Sequence, residues 1–281
     1  MKAIENKAFP NERDLYAANN LRLVNCRFDG AEDGESALKE AKNVELQGCY
    51  FNLRYPLWHD AGVTLSDVTM TENCRAALWY TRNVTADNCK FWGIKALREC
   101  KNISICGSNI VSPEFGWRSR NVTVSDSEIV SEYLFLSAKD VRLNDVRFKG
   151  KYSFQYTQNV TIENSVLDTK DAFWHAKNVV IKNCVVKGEY LGWYSQNLTF
   201  VNCTISGTQP LCYCSGLKLV DCQMQNTDLS FEYSDVQATV TGQIDSVKNP
   251  RSGSITADGI GQIIITPDSK YPCACVIKTN L

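Results

Sequence analysis

The sequence predicts an all-β protein, a single-stranded right-handed parallel β-helix of about twelve 19-residue coils with a cap at each end. The main observation is a nine-residue phrase, N-V-T-V-S-D-S-E-I at 121–129, that recurs along the chain. Copies begin at 83, 102, 121, 140, 159, 178, 197, 216 and 235, and looser copies begin at 20, 43 and 62. A period of this length over most of 281 residues is typical of a solenoid whose repeats stack on their neighbours.

Apolar alternation within the phrase indicates strands. Positions two and four hold mostly Val, Leu or Ile, as in Val122 and Val124, and position nine is also apolar. Period-two alternation over so short a run favours strand over helix. Leucine-rich repeats have a similar period, but no copy carries their L-x-x-L-x-L spacing, and the five-residue period of pentapeptide helices is absent.

Bends between the strands allow positions two, four, seven and nine all to face inward. Position six is usually Asn, Asp or Gly, which tolerate left-handed backbone angles, and the opening residue has the same character. A further bend is expected at Gly30, Gly93, Gly150, Gly188, Gly207 or Asn226. Three short strands and three bends describe one coil of a parallel β-helix, and parallel crossovers favour a right-handed wind.

One domain is expected over residues 1–281. Residues 1–19 are predicted to form an N-terminal cap, residues 20–240 the coils, and residues 241–281 a C-terminal cap that closes the solenoid. The insertion at 32–43 is expected to form a surface loop or a helical turn.

The charge balance favours neither nucleic acid nor a membrane surface as a partner. The chain has 30 basic and 31 acidic residues, a formal net charge of −1 and no long run of one sign. The first residues lack the apolar stretch of a signal peptide, and no segment approaches membrane-spanning length. A cytoplasmic location is therefore expected.

Six of the 13 cysteines are predicted to be reduced core thiols. They occupy position seven of the phrase, a slot that Val, Ser or Thr fills in other copies, and a slot shared by such residues is small and buried. The C-x-C pairs Cys212–Cys214 and Cys273–Cys275 lack the second half of a zinc site, so no metal and no cofactor is predicted.

Aromatic residues gather before each phrase in two adjacent columns. The first contains Trp58, Trp79, Trp117, Trp174, Trp193 and Phe231; the second contains His59, Tyr80, Glu99, Arg118, Tyr156, His175, Tyr194, Tyr213 and Glu232. Neighbours on a strand point to opposite faces, so the charged members favour the second column as the outer one and the Trp column as core. The alternative is an aromatic and acidic stripe for sugar rings, with Trp174, Trp193, Tyr194, Tyr213 and Glu232 as substrate-binding residues.

Both histidines lie in the second column. His175 has Asp171 four residues earlier and Glu189 on the next coil. This cluster would supply acid–base groups if it lined a groove, which makes Asp171, His175 and Glu189 the candidate catalytic residues. A solvated surface histidine beside a carboxylate is the simpler interpretation.

Specific strings are found along nearly the whole chain: K-N-V-E-L-Q-G-C at 42, Y-P-L-W at 55, D-A-F-W at 171, G-E-Y-L-G-W at 188, N-L-T-F-V-N-C-T-I at 197, F-E-Y-S at 231 and I-D-S-V-K-N-P at 244. With these strings the chain resembles a bacterial family, the domain-of-unknown-function 3737 family. The resemblance implies a β-helix of the pectate-lyase-like group and brings no established activity. Asn226-Thr227-Asp228 matches one element of polygalacturonases, but their other elements are missing.

Two hypotheses of different class follow. The first is a β-helix that recognises or modifies a saccharide on its aromatic-rich face. The second is a non-catalytic intracellular scaffold or protein-interaction solenoid, consistent with the absent catalytic signatures. Because a shared fold does not establish function, the residues of the site have to decide between them.

Overall fold

The computed structural model describes residues 1–30 and 36–280. The chain is a right-handed parallel β-helix of about 14 turns with 19-residue spacing, as predicted apart from the number of coils. The part of the chain that the structure describes contains one 3-10 helix, Glu72–Cys74, and no α-helix. Among these residues, no helix has the length and apolar character that crossing a membrane requires.

Two compact units divide the chain, residues 1–142 and 143–281. The strands of the first unit are β1 (Lys2–Glu5), β2 (Ala8–Phe9), β3 (Asn19–Val24), β4 (Arg27–Phe28), β5 (Lys42–Gln47), β6 (Tyr50–Phe51), β7 (Ala61–Ser66), β8 (Thr69–Met70), β9 (Arg82–Asp87), β10 (Lys90–Phe91), β11 (Lys101–Cys106), β12 (Asn109–Val111), β13 (Arg120–Ser125) and β14 (Glu128–Ser131).

The next strand, β15 (Lys139–Asn144), begins before residue 143. The remaining strands of the second unit are β16 (Arg147–Gly150), β17 (Gln158–Glu163), β18 (Val166–Asp168), β19 (Lys177–Lys182), β20 (Val185–Lys187), β21 (Gln196–Val201), β22 (Thr204–Ser206), β23 (Leu217–Gln225), β24 (Asp235–Lys248), β25 (Ser252–Ile264) and β26 (Ala274–Thr279).

Each coil has two strand sides, and the register equals the sequence period. The odd-numbered strands up to β21 form the first side, where Ile103 of β11 pairs with Val84 and Val122 in neighbouring coils. The even-numbered strands up to β22 form the second side, where Phe28 pairs with Phe9 and Phe51. The three Phe rings stack inside the first unit at 4.8 and 4.5 Å between centroids, so position nine forms an aromatic stack in these three coils.

The bends are where the phrase places them. Position six has positive φ, as at Asn25 (50°) and Asn183 (53°), and so does the opening residue, as at Asn121 (53°). The opening residue lies inside the first-side strand, and its Asn side chains bond to one another: Asn102 Nδ2 donates to Asn83 Oδ1 at 2.8 Å, and Asn121 Nδ2 donates to Asn102 Oδ1 at 3.0 Å. Asn is therefore favoured at this position for two reasons: it tolerates a left-handed φ, and its side-chain amide forms hydrogen bonds with the Asn of the next coil.

The third side differs from the prediction of a third strand. It is a run of turn residues, such as 172–175, with left-handed φ at alternate positions: 52° at Asp171, 63° at Phe173 and 54° at His175. Hydrogen bonds to both adjacent coils hold this conformation, because Asp171 N–H donates to Glu189 O at 3.0 Å and Phe173 N–H donates to Ser153 O at 2.9 Å. These bonds outweigh the steric cost of left-handed φ at bulky residues.

The coil count exceeds the predicted twelve because strands at both ends join the stack. In the segment 1–19, β1 pairs with β3 (Lys2 with Leu21), which is the same offset of nineteen. Lys2 stands where the other copies have an apolar residue, and Lys7 stands where they have Cys, Val, Ser or Thr, so this copy is not recognisable in the sequence. At the other end β25 pairs with β24, and β26 with β25. The insertion predicted at 32–43 lies partly outside the described residues, and residues 37–40 form turns.

The six position-seven cysteines are buried, as expected for core thiols: Cys26, Cys49, Cys89, Cys184, Cys203 and Cys222. Burial raises the pKa of Cys49 and Cys89 to about 11, so these thiols stay protonated and behave as small apolar side chains.

Asp60 is a carboxylic acid enclosed in the first unit. The residue is 1% exposed, and its Oδ1 accepts a hydrogen bond from Ala41 N–H at 2.9 Å. Oδ2 has no hydrogen-bond partner among the described residues. The equivalent position in the next coils holds Thr81 and Cys100. Burial raises the pKa of Asp60 from 3.8 to about 8, so the folded protein holds this carboxyl protonated.

We expect the contribution of Asp60 to the free energy of unfolding to be largest below pH 3.8 and to fall as the pH rises towards 8, because only the folded chain keeps this proton. The slope contributed by Asp60 approaches about 1.4 kcal/mol per pH unit. Urea unfolding across this range should show a much smaller slope in Asp60→Thr and an unchanged slope in the exposed control Asp87→Asn. Identical profiles in the intact protein and Asp60→Thr would contradict this interpretation.

Candidate functional site

The predicted site residues lie together on the third side of the second unit. The turn residues 172–175, 191–194 and 210–213 of successive coils carry the aromatic members, one coil above the next. Asp171 and Glu189 precede the first two of these turns, and Glu232 lies in the turn 231–233 of the following coil. His175 N–H donates to Trp193 O at 3.0 Å and Tyr194 N–H donates to Cys212 O at 3.3 Å, so the backbone aligns equivalent side chains.

The second aromatic column faces solvent, as predicted. Tyr156, His175, Tyr194 and Tyr213 form a continuous stack, which we call the ring ladder, with centroid separations of 5.0, 5.1 and 4.8 Å. Interplanar angles of 7°, 8° and 16° mean that each ring covers the face of the next. Tyr156 is 54% and Tyr194 43% exposed, so the ring edges, with their hydroxyl groups and imidazole nitrogens, meet the solvent.

The tryptophans do not pack in the core, contrary to the prediction. Trp174 and Trp193 are half-buried and stack on each other at 5.4 Å. Each indole N–H donates to a carbonyl of the next coil: Trp174 to Tyr190 O at 2.7 Å and Trp193 to Gln209 O at 2.9 Å. The left-handed turn breaks the inside–outside alternation of a strand, so both columns lie on the outer side. In the next two coils the first column continues with Cys212 and Phe231, and both of these side chains are buried.

The first unit carries the same columns with different members. His59 and Tyr80 stack at 4.8 Å, and Glu99 and Arg118 form an ion pair at 3.5 Å in the coils that follow. In the first column the guanidinium of Arg98 lies between Trp79 and Trp117, at 4.5 and 4.6 Å from their centroids. Stacking along a column is therefore a general property of this side and is not confined to the predicted site.

Asp171 and His175 do not form the acid–base pair that the sequence suggested. Asp171 is 8% exposed, His175 is exposed, and their side chains share no hydrogen bond or ion pair within the described residues. Burial raises the pKa of Asp171, with the Glu189 charge acting in the same direction and Lys170 against it. A carboxyl in this state can hold a proton, but within the described residues no basic side chain is hydrogen-bonded to it.

The other two acidic residues are paired with lysines that the sequence did not single out. Lys170 Nζ lies 2.8 Å from Glu189 and 5.4 Å from the centre of the Tyr190 ring. Lys248 Nζ lies 2.9 Å from Glu232, and this bond raises the pKa of Lys248. Lys170 precedes Glu189 by one period of nineteen residues. A comparison of the charges within each column of the repeat would therefore have predicted this pair from the sequence.

Two shallow grooves lie elsewhere, and neither is lined by a predicted site residue. One is in the first unit beside Asn102 and the other is in the second unit beside Lys218 and Gln237. Among residues 1–30 and 36–280, no group of three or more His, Cys, Asp or Glu side chains could hold a metal ion.

We expect Trp174→Phe to lower the free energy of unfolding by about 1–3 kcal/mol, because the stack survives while the Tyr190 carbonyl loses its donor. Urea unfolding measures this loss. Tyr194→Phe is the matched control, since it removes a hydroxyl without a partner in the described structure and should change stability by less than about 0.5 kcal/mol. Equal losses in the two variants would show that the indole hydrogen bond contributes nothing.

Comparison with solved structures finds several proteins of low sequence identity. The A-module of mannuronan C-5 epimerase AlgE4 from Azotobacter vinelandii is 10% identical, with 98% of this chain and 89% of that chain covered and a TM-score of 0.38. PfbA, a surface adhesin of Streptococcus pneumoniae, is 10% identical over 93% and 86%, with a TM-score of 0.29. The catalytic domain of a GH87 alpha-1,3-glucanase is 10% identical over 100% and 64%, with a TM-score of 0.27.

At these identities and TM-scores the matches carry no argument about activity. No curated protein matches the chain in sequence. The model of one family, described as "Protein of unknown function (DUF3737)", matches residues 2–278, nearly the whole stack of coils, and agrees with the resemblance of the repeated strings. The chain therefore belongs to the DUF3737 family.

Proposed function

We propose that the protein recognises an extended, linear polysaccharide along the ring ladder of the second unit. The observation that carries the proposal is the repeat of the ladder, one ring edge per coil at 4.8–5.1 Å over four coils. Because neighbouring rings cover each other's faces, sugar rings would not stack on them. A ligand would instead exchange hydrogen bonds with the phenol hydroxyls and the imidazole nitrogens.

The ladder repeat favours a sugar polymer over other linear polymers. One sugar residue of an extended polysaccharide advances by a similar distance and presents hydroxyl groups that both donate and accept. An extended peptide advances about 3.2–3.4 Å per residue. Stacked nucleotides advance about 3.4 Å per nucleotide along one strand, and their phosphates require a cationic surface. Only the sugar polymer would keep the same contacts on each successive coil.

Recognition is proposed in preference to modification because the carboxyl groups are not arranged for catalysis. Asp171 is nearly enclosed and Glu189 is paired with Lys170 at 2.8 Å. Two carboxyl groups that face a substrate from either side of a bond would be needed for glycoside hydrolysis. His175, Tyr194 and Tyr213 are therefore the residues proposed to contact the ligand, with Trp174 and Trp193 as their support.

A panel of immobilised polysaccharides tests the proposal. We expect the intact protein to bind at least one extended member, and the double variant Tyr194→Phe/Tyr213→Phe to bind it about thirtyfold more weakly, since two hydroxyl contacts of about 1 kcal/mol each are lost while the ring scaffold is kept. Tyr80→Phe, in the same column of the first unit, is the control and should bind normally. Failure of the intact protein to bind any polysaccharide would contradict the proposal and favour the scaffold hypothesis.

A further inference from the structure

Four cations form a row on the first side of the first unit. Arg82, Lys101, Arg120 and Lys139 each occupy the position before the opening residue of the phrase in consecutive coils. Lys101 is the direct pairing partner of both Arg82 and Arg120. Their Cα atoms therefore repeat at the strand spacing of about 4.8 Å. We call these residues the basic row.

The cations of the basic row have no ion-pair partner in the part of the chain that the structure describes, although Asp140 directly follows Lys139 in the sequence. Arg82, Lys101 and Arg120 are exposed and Lys139 is half-buried. Within the described residues none of the four side chains has an ion pair or a hydrogen bond, whereas Lys182 pairs with Glu163 at 3.5 Å. Asp87 lies at the opposite end of β9 from Arg82. Four like charges at this spacing repel one another, and an anionic ligand would relieve that repulsion.

A shallow groove of about 340 Å³ runs beside the basic row. Its lining includes the side-chain amides of Asn83, Asn102 and Asn121, the residues that directly follow Arg82, Lys101 and Arg120, together with Thr85, Ser104 and Thr123. The polar side chains of this lining are uncharged and repeat in three consecutive coils, with Val84 and Ile103 as apolar members between them. The lining offers hydrogen bonds to hydroxyl groups, and it contains no aromatic residue on which a nucleic-acid base could stack.

We propose that this groove and the basic row bind an acidic polysaccharide with one carboxylate per sugar residue. The sugar chain would lie in the groove along the coil axis, with its hydroxyl groups on the amides and on the Thr and Ser hydroxyls. The carboxylates would meet the cations of the basic row, about one per coil, in charge-assisted hydrogen bonds. This site lies in a different unit from the ring ladder and goes beyond the recognition proposed there.

The test measures binding of a 1,4-linked polyuronate oligomer as a function of salt concentration. We expect the intact protein to bind it and affinity to fall with salt, and the triple variant Arg82→Gln/Lys101→Gln/Arg120→Gln to bind at least about tenfold more weakly with a salt slope reduced by about 2–3, as three ionic contacts are lost. The matched control is Lys177→Gln, because Lys177 is in the same column of the second unit between the uncharged Gln158 and Gln196. It should leave affinity and slope unchanged.

Two further probes test whether binding needs the carboxylates and whether the site prefers a polyuronate to a nucleic acid. The carboxyl-reduced, neutral form of the oligomer should bind much more weakly than the acidic form, and a single-stranded oligonucleotide of equal charge should bind less tightly than the polyuronate. The Tyr194→Phe/Tyr213→Phe variant should retain polyuronate binding, so failure of the ring-ladder proposal leaves this result unaffected. Absent polyuronate binding at low salt, an unchanged affinity in the folded triple variant, or tighter binding of the oligonucleotide would overturn the proposal.

Discussion

Every other feature of this protein depends on parallel pairing between coils at an offset of nineteen residues. The pairing of Ile103 with Val84 and Val122 shows it on the first side, and the bond from His175 N–H to Trp193 O shows it on the third. Since equivalent residues stand directly above one another, each position of the repeat becomes a column. A residue type that suits one coil then contacts its own kind in the next, which explains stacked Phe, stacked Trp and bonded Asn side chains.

Columns are also what the surface presents to a ligand. A single aromatic or cationic residue on a globular protein is one contact, but a column repeats that contact at the interval between coils. The ring ladder and the basic row are both of this kind, one aromatic and one cationic. A linear polymer is the partner whose own repeat matches such a surface, because each added unit makes the same contact at the next coil.

The periodicity made most of the strand sides and bends predictable. Val and Ile at alternating positions predicted the register, and Asn or Asp at position six predicted left-handed bends such as Asn183. The third side was not predictable from local preference, because Phe173 and His175 adopt left-handed angles that hydrogen bonds to neighbouring coils impose. For the same reason the outward position of Trp174 was missed. The partners of Glu189 and Glu232 were missed because lysines in adjacent coils, not nearby in sequence, supply them.

The most direct test of the stacking account compares two deletions in the second unit by far-ultraviolet circular dichroism and urea unfolding. Deletion of residues 178–196 removes one whole coil and rejoins Lys177 to Asn197 in register. Deletion of Val180 alone moves every later side chain of β19 to the opposite face. We expect the 19-residue deletion to leave a folded β-rich protein and the single deletion to be more destabilising. A better-tolerated loss of Val180 would contradict this expectation.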